Sequence, residues 1–407
     1  MRKELYVLKF GGTSLGNVRR IEEVAKIIVS YVKKRISIVV VVSAMGDTTD
    51  RLIELAKKIN PHPSERELDM LISTGEQVSG ALLAMALHKK GLPALSLTAP
   101  QVGIITDTSH MKARILKIET KKIEKELKDG KIIIVTGFQG MTPEREITTL
   151  GRGGSDLSAV ALAVALKADR CEIYTDVEGI FTADPRLVPQ ARKIDCITFD
   201  EMLELASCGA QILQTRAVEV AKKFNLPICV RSSFTKKGGT IVMERKALIE
   251  EPVVRGIVLA TDEVKITICN VPDRPGIAAA IFEAIANRGI NVDMIVQNVS
   301  HKKVTDISFT VSKQDAYKAL DIVKKIAKEI KASRVIFDED VAKVSIVGVG
   351  MRSHSGVASR VFKVLASHKI NIEMISTSEI NISCVIKKKE GGKAVRALHK
   401  AFELDKK

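Results

Sequence analysis

Residues 5–42, LYVLKFGGTSLGNVRRIEEVAKIIVSYVKKRISIVVVV, read as strand, glycine turn, helix and strand. Leu5 to Phe10 is a short β-type run that Gly11-Gly12-Thr13-Ser14 interrupts. Val18, Ile21, Val24, Ala25, Ile28, Val29 and Val32 then recur at three- and four-residue spacing, one face of a helix. Ile36 to Val42 is apolar throughout, as in a strand covered on both faces of a parallel sheet. Further out, such runs return at Ile132–Val135, Cys171–Thr175 and Ile228–Arg231, with amphipathic stretches between them. The first 235 residues or so are therefore expected to form an α/β unit, an open, mostly parallel sheet sandwiched by helices. In such sheets the ligand sits beyond the carboxyl ends of the strands, so the loops there are the candidates for chemistry.

Beyond Val253 the sequence repeats itself. Residues 276–295 align with 356–375 at a constant offset of 80 without gaps, and eight of the twenty positions are identical. Two copies of one module are implied. The first reads strand Val264–Cys269, helix Gly276–Asn287, strands Asn291–Val299 and Val304–Val311, helix Asp315–Ile330 and strand Val335–Phe337, a ferredoxin-like βαββαβ unit. The second, from Lys343 to Leu404, lacks the closing strand, and Val253–Ala260 is a spare strand ahead of the first copy. We expect that strand to complete the second copy. The expected domains are 1–245, 262–340 and 341–407, the last completed by 253–260.

The chain has 407 residues, too many for one core, and a net charge of +16. The excess divides evenly, +8 in residues 1–260 and +8 in 261–407, interleaved with acidic residues. With no Trp and four Tyr there is little to stack on bases, so the charge suits anionic small molecules better than nucleic acid. The longest apolar run found, Ala159 to Leu166, is too short for a membrane span, and no leader is evident, so a cytoplasmic protein without membrane partner is expected. The six cysteines show no C-x-x-C spacing, and neither a metal site nor a disulfide framework is expected.

Two glycine loops carry the chemistry. Lys9-Phe10-Gly11-Gly12-Thr13-Ser14 gathers backbone N–H groups and a lysine beside a helix start, an anion site. A tight strand–helix connection with Ser14 as helix cap is the alternative. Gly151-Arg152-Gly153-Gly154-Ser155-Asp156 opens an apolar helix with a guanidinium alongside. Two anion cradles on one sheet, without a catalytic triad, suggest phosphoryl transfer, which depends on positioning and charge neutralisation. Ser43–Asp50 follows a strand, and Ser73-Thr74-Gly75-Glu76-Gln77 opens a helix with a carboxylate placed for a substrate ammonium. Tyr174–Arg186 is a long polar loop suited to a nucleotide and metal.

KFGGTS (9–14), SAMGDTTD (43–50), STGEQ (73–77), TGFQG (136–140), GRGGSD (151–156) and YTDVEGIFTADPR (174–186) resemble the aspartate kinases of the amino-acid-kinase superfamily. The repeat, with DRPG at 273–276 and STSEI at 376–380, resembles their tandem ACT domains. The resemblance covers essentially the whole chain in order, in the monofunctional form. It implies transfer of the ATP γ-phosphoryl to the β-carboxylate of L-aspartate, with magnesium, as the first step of lysine, threonine and methionine biosynthesis.

On that resemblance Lys9, Asp156 and Arg152 are catalytic. Thr49, Glu76, Arg152, Gly153, Gly154 and Ser155 bind substrate, Glu76 at the ammonium and Arg152 at a carboxylate. Lys9, Phe10, Gly11, Gly12, Ser43, Thr175 and Asp176 line the phosphate and nucleotide path, with Phe181, Thr182, Asp184 and Arg186. Gln211 stands where the family often has lysine. Effector positions in the first copy are Asp273, Arg274, Pro275, Gly276, Asn291, Asp293 and Gln297. In the second copy they are Val357, Ala358, Asn371, Ile372, Ser378 and Glu379. Feedback inhibition by lysine, threonine or both is implied, with a homodimer or homotetramer formed through the ACT domains. A separate regulatory subunit starting at Met243 is a further expectation.

Overall fold

The structure is a computed structural model, and it describes residues 3–210, 212–244, 253–298, 303–352 and 354–406. Gln211, and Ser353 in the loop of the second repeat, lie outside the described residues. The chain divides into two compact units. The first runs to Ile180 and takes in Lys193–Ala206 and 212–244; the second holds Phe181–Arg192, Ser207–Ala210 and the chain from 253 on.

The first unit is built on an eight-stranded sheet. Its order is Cys196–Ile197, Thr240–Val242, Ile228–Ser232, Arg170–Thr175, Leu5–Phe10, Ser37–Val42, Ile132–Thr136 and Ala94–Leu97. All neighbours are parallel except Thr240–Val242 against Ile228–Ser232. The central strands are buried on both faces, which is why they are written in Val and Ile without alternation. Helix Val18–Lys33 lays Ile21, Val24, Ala25 and Ile28 onto Leu8, Val40 and Val42 of that sheet. Each fully buried aliphatic side chain there stabilises the fold by about 1.5–3 kcal/mol. The helix is capped by Asn17, whose side chain accepts the Arg20 N–H at 3.0 Å. Ser14 is therefore not its cap; the Ser14 hydroxyl meets the Ser233 hydroxyl at 2.8 Å.

Helices Glu65–Ile72 and Thr74–His88 follow one another, and the stretch Glu65–His88 is long and apolar enough to pass for a membrane span, although no single apolar run in it is. Half of it is buried inside the unit, and Asp69 and Glu76 are among the buried residues. That is how a core helix reads. A second, four-stranded sheet orders Ile115–Ile118, Ile104–Thr106, Gln139–Met141 and Ile147–Thr149.

In the second unit the repeat forms two antiparallel four-stranded sheets. The first copy orders Val292–Gln297, Val304–Ser312, Glu263–Pro272 and Arg334–Asp338. The second orders Gly256–Ala260, Val341–Val347, Asn381–Lys387 and Met374–Thr377. Gly256–Ala260 runs antiparallel to Val341–Val347, in the place that Arg334–Asp338 takes beside Glu263–Pro272. Helices cover one face of each sheet. Through the other faces the two copies meet: Met294, Val341, Met374 and Val385 form one apolar cluster, and Lys265 pairs with Glu373. Lys343, 3% exposed, pairs with Glu263 at 3.2 Å and with Asp293, and burial pushes the Glu263 carboxyl up. Segment Phe181–Arg192 adds Ala183 and Val188 to the core of the second copy.

Candidate active site

Four loops at the carboxyl ends of adjacent parallel strands build the site in the first unit. Phe10 ends its strand stacked on Tyr174, ring centroids 4.6 Å apart. The Gly11 N–H donates to the Tyr174 carbonyl at 3.1 Å, and the Ser43 N–H to the Phe10 carbonyl at 3.1 Å. Gly12 carries no side chain because a Cβ there would stand 3.0 Å from the carbonyl oxygens of both Ala44 and Gly46. The glycine turn thus nests in the 43–46 loop, with its backbone open for an anion.

The lysine at the base of that turn is not free. Lys9 Nζ stands 2.7 Å from Asp156 Oδ1, with both side chains nearly buried. Asp156 lies in the first turn of helix Gly154–Ala165, whose N-terminus follows Gly153 in the left-handed region at φ 73°. The pair fastens the two glycine loops together, and a helix N-terminus beside it adds positive potential. Gly137 presses from the third strand loop: a Cβ there would come within 2.9 Å of Ser155 and Val41. Arg152 and Gly153 are exposed, and the Arg152 guanidinium has no partner among the described residues.

Glu76 is 2% exposed on the first turn of helix Thr74–His88. Its Oε1 accepts the Ala44 N–H at 3.2 Å, while Oε2 has no partner among the described residues. Burial pushes its carboxyl up to about 7, against the opposing pull of the Ala44 N–H and the Gln139 side chain. Ala44 also sits against Gly75, where a Cβ would approach within 2.7 Å. The 43–46 loop therefore connects the anion turn at Gly12 with the carboxylate at Glu76. A buried carboxylate oxygen without a donor suits a ligand cation. Thr49 is half-buried in the first turn of helix Thr48–Ile59.

Sequence reading missed the residues behind these loops. Asp69, wholly buried, accepts the Thr149 hydroxyl at 2.5 Å, His110 Nδ1 at 2.8 Å and the Met111 N–H at 3.1 Å. Under the strand ends, Glu172 accepts the Tyr31 hydroxyl at 2.5 Å and Arg231 at 3.3 Å, and Tyr31 meets Tyr174 at 2.7 Å. Burial together with the neighbouring Glu172 carboxylate raises the Tyr31 phenol. Only the strong β pattern around Cys171–Thr175 hinted at these partners.

The remaining nucleotide candidates separate. Thr175 and Asp176 stay in the first unit, hydroxyl to carboxylate at 3.0 Å. Phe181, Thr182, Asp184 and Arg186 fall in the second unit. There the Thr182 hydroxyl meets His399 Nε2 at 2.9 Å, and Asp184 is paired with Arg186 at 2.8 Å.

In the first ACT copy, a cavity of about 330 Å³ is lined by Asp273, Arg274, Pro275, Gly276, Gln297 and neighbouring apolar residues. Asn291 and Asp293 do not line it, and Asp293 turns instead to Lys343. In the second copy Val357 and Ile372 belong to the apolar core. Ala358 is half-buried there, Asn371 and Glu379 are exposed, and the Ser378 hydroxyl accepts the Asn381 N–H at 3.1 Å.

The amino acid kinase family matches residues 4–232, and the ACT domain matches 266–326 and 344–402. An aspartokinase of Pseudomonas aeruginosa is 55% identical over 403 residues, 98% of each chain. The crystal structure of E. coli aspartokinase III in complex with aspartate and ADP is 27% identical, with TM-score 0.84, over 98% of this chain and 99% of that one. The same enzyme in complex with lysine and aspartate matches at TM-score 0.76, 27% identity, over 98% and 100%. The doubly wound sheet, the Lys9–Asp156 pair between two glycine cradles and the full-length likeness agree: the chain belongs to the amino acid kinase family, as an aspartate kinase with paired ACT domains.

Proposed function

We propose that this aspartate kinase transfers the ATP γ-phosphoryl to the β-carboxylate of L-aspartate across the Lys9–Asp156 pair. The observation that carries this is that pair, 2.7 Å long, joining two glycine loops beside a buried carboxylate with a free oxygen. Glu76 Oε2 would take the substrate ammonium, Arg152 a substrate carboxylate, and Thr49 and Ser155 would add hydroxyl contacts. Gly11 and Gly12 would present N–H groups to the phosphates, with Ser43, Thr175 and Asp176 along the nucleotide. The nucleophile is a carboxylate, ionised at neutral pH without help, so no protein base is required. Lys9 would then act as charge gathers on the transferring oxygens, held in place by Asp156.

No three carboxylate, His or Cys groups converge among the described residues. A phosphate-chelated magnesium needs only one or two carboxylates, and Asp156 is suited to supply one. When bound, magnesium neutralises phosphate charge.

Regulation would enter at the copy-one cavity. Its acidic and basic lining, Asp273 and Arg274, matches the two charged ends of an amino acid such as lysine or threonine. Edge strands Val292–Gln297 and Met374–Thr377 expose Ile295 (51%) and Ile375 (44%) at equivalent repeat positions, which favours pairing between subunits into a homodimer or homotetramer. A start at Met243, half-exposed just after strand Thr240–Val242, would yield a separate regulatory chain.

The test is ATP turnover with L-aspartate, hydroxylamine trapping the acyl phosphate, alongside glutamate and N-acetylglutamate. Aspartate alone should yield hydroxamate. Hydroxamate from another acid in preference would remove the substrate assignment. Titrating lysine and threonine into the full-length enzyme tests the cavity, and light scattering tests the assembly.

A further inference from the structure

Lys9, Glu76, Arg152 and Asp156 account for charge at the site, but not for what keeps the Gly151–Asp156 loop in register. That loop is left-handed at two points, φ 83° at Gly151 and 73° at Gly153, and exposed at Arg152 and Gly153. A glycine-rich, exposed segment of this kind does not hold one conformation unaided. Its anchors come from one stretch more than 55 residues away in sequence, the start of helix Thr215–Lys223.

Gln214 grips the loop twice. Its backbone N–H donates to Asp156 Oδ2 at 3.4 Å, and its Nε2 donates to the Arg152 carbonyl at 3.0 Å. The Gln214 Oε1 is buried without a partner among the described residues, so the side chain is engaged through its donor. The fit is close: a Cβ on Gly153 would stand 3.1 Å from Gln214 Cβ. Two residues on, Arg216 donates through NH1 to the Leu150 carbonyl and through NH2 to the Ala113 carbonyl, both at 2.9 Å. One planar guanidinium thus ties the base of the loop to the segment that Asp69 holds through Met111.

We propose that Gln214 and Arg216 are positioning residues for L-aspartate, aiming Arg152 and Asp156 by gripping the backbone on which they ride. The proposal rests on the reading of residues 151–156 as the aspartate cradle. Neither side chain needs to touch substrate.

The experiment uses the full-length enzyme with Gln214→Met, which keeps length and packing but cannot donate, and Arg216→Lys, which keeps charge but cannot span two carbonyls. Gln214→Met should raise KM for aspartate about tenfold, the loss expected of one partly buried hydrogen bond. KM for ATP and the melting temperature should stay put, and amides of 150–156 should exchange hydrogen faster. Arg216→Lys should follow the same pattern; if it fails to fold, Gln214→Met decides alone. Arg152→Ala is the control. If it raises KM for aspartate while Gln214→Met leaves KM and exchange unmoved, or moves both substrates equally, the clamp is overturned and the cradle stands. If Arg152→Ala also leaves KM for aspartate unmoved, the cradle reading and the clamp fall together.

Discussion

Gly153 and Gly356 do the same local job in opposite surroundings. Each is left-handed, at φ 73° and 93°, and each opens a helix, Gly154–Ala165 in the first unit and Val357–Ser367 in the second ACT copy. At Gly153 a side chain would meet Gln214 at 3.1 Å; at Gly356 nothing lies within 4 Å. Gly276, which opens the equivalent helix of the first copy beside the cavity, is equally open. The turn is the same and the packing is not. The Gly153 turn, exposed to solvent on one side, is backed on the other by Gln214. The turns at Gly276 and Gly356 have no such backing, and Gly276 lines the copy-one cavity.

The largest effect should come from removing the charge paired with Asp156, three residues beyond the packed turn. Lys9→Ala should lower turnover roughly 100- to 1,000-fold, by analogy with the loss of one preorganised oxyanion donor. It should change KM for aspartate far less. Steady-state kinetics check this, and near-normal turnover would take Lys9 out of the chemistry.

Gly153→Ala comes next. It forces a left-handed alanine, costing roughly 1–2 kcal/mol, and drives a methyl toward Gln214. KM for aspartate should rise tenfold or more (about 1.4 kcal/mol per tenfold), with the ATP requirement little moved.

Acidity should act on the same wall of the site. The Glu76 carboxyl is raised to about 7 by burial, so below that pH it carries a proton and cannot pair an ammonium. KM for aspartate should therefore rise by up to roughly tenfold per pH unit below about 7. Glu76→Gln should flatten that profile while raising KM at pH 8. For folding the sign is opposite: a raised carboxyl favours the folded state at low pH, and that contribution fades as pH climbs from the ordinary carboxylate range through about 7. Thermal melts without substrate, wild type against Glu76→Gln, measure it.

The smallest effect belongs to the open turn. Gly356→Ala should cost only the backbone term, roughly 1–2 kcal/mol of stability, leaving effector-free turnover within about twofold. A rise in KM for aspartate as large as that of Gly153→Ala would erase the distinction between the two turns.

How much of this was legible follows from distance along the chain. The βαβ start, the glycine cradles and the repeat are local patterns, and strands such as Leu5–Phe10 and helix Val18–Lys33 lie where periodicity put them. The spare strand could be assigned because a repeat that lacks an element exposes the omission. Asp69, Gln214 and Arg216 were invisible for the opposite reason. They act on groups 41 to 103 residues away, and no spacing rule reports which carbonyl a distant guanidinium reaches. Asp293 illustrates a further blindness: alternation identifies the two faces of Val292–Gln297, but not that one of them meets Lys343 of the other sheet.

The route of the chain through Phe181–Arg192 has a consequence for surgery. A protein cut near Met243 would look like a clean excision on a linear map. Yet Ala183 and Val188, encoded ahead of the cut, are packed among Val344, Val361 and Leu398, encoded after it. The amino-terminal product would carry bare apolar side chains into water, and the carboxyl-terminal product would carry the hole they left. Neither piece is whole, so the two should seek each other, and a fragment made by internal initiation would be born with an address written into its own core.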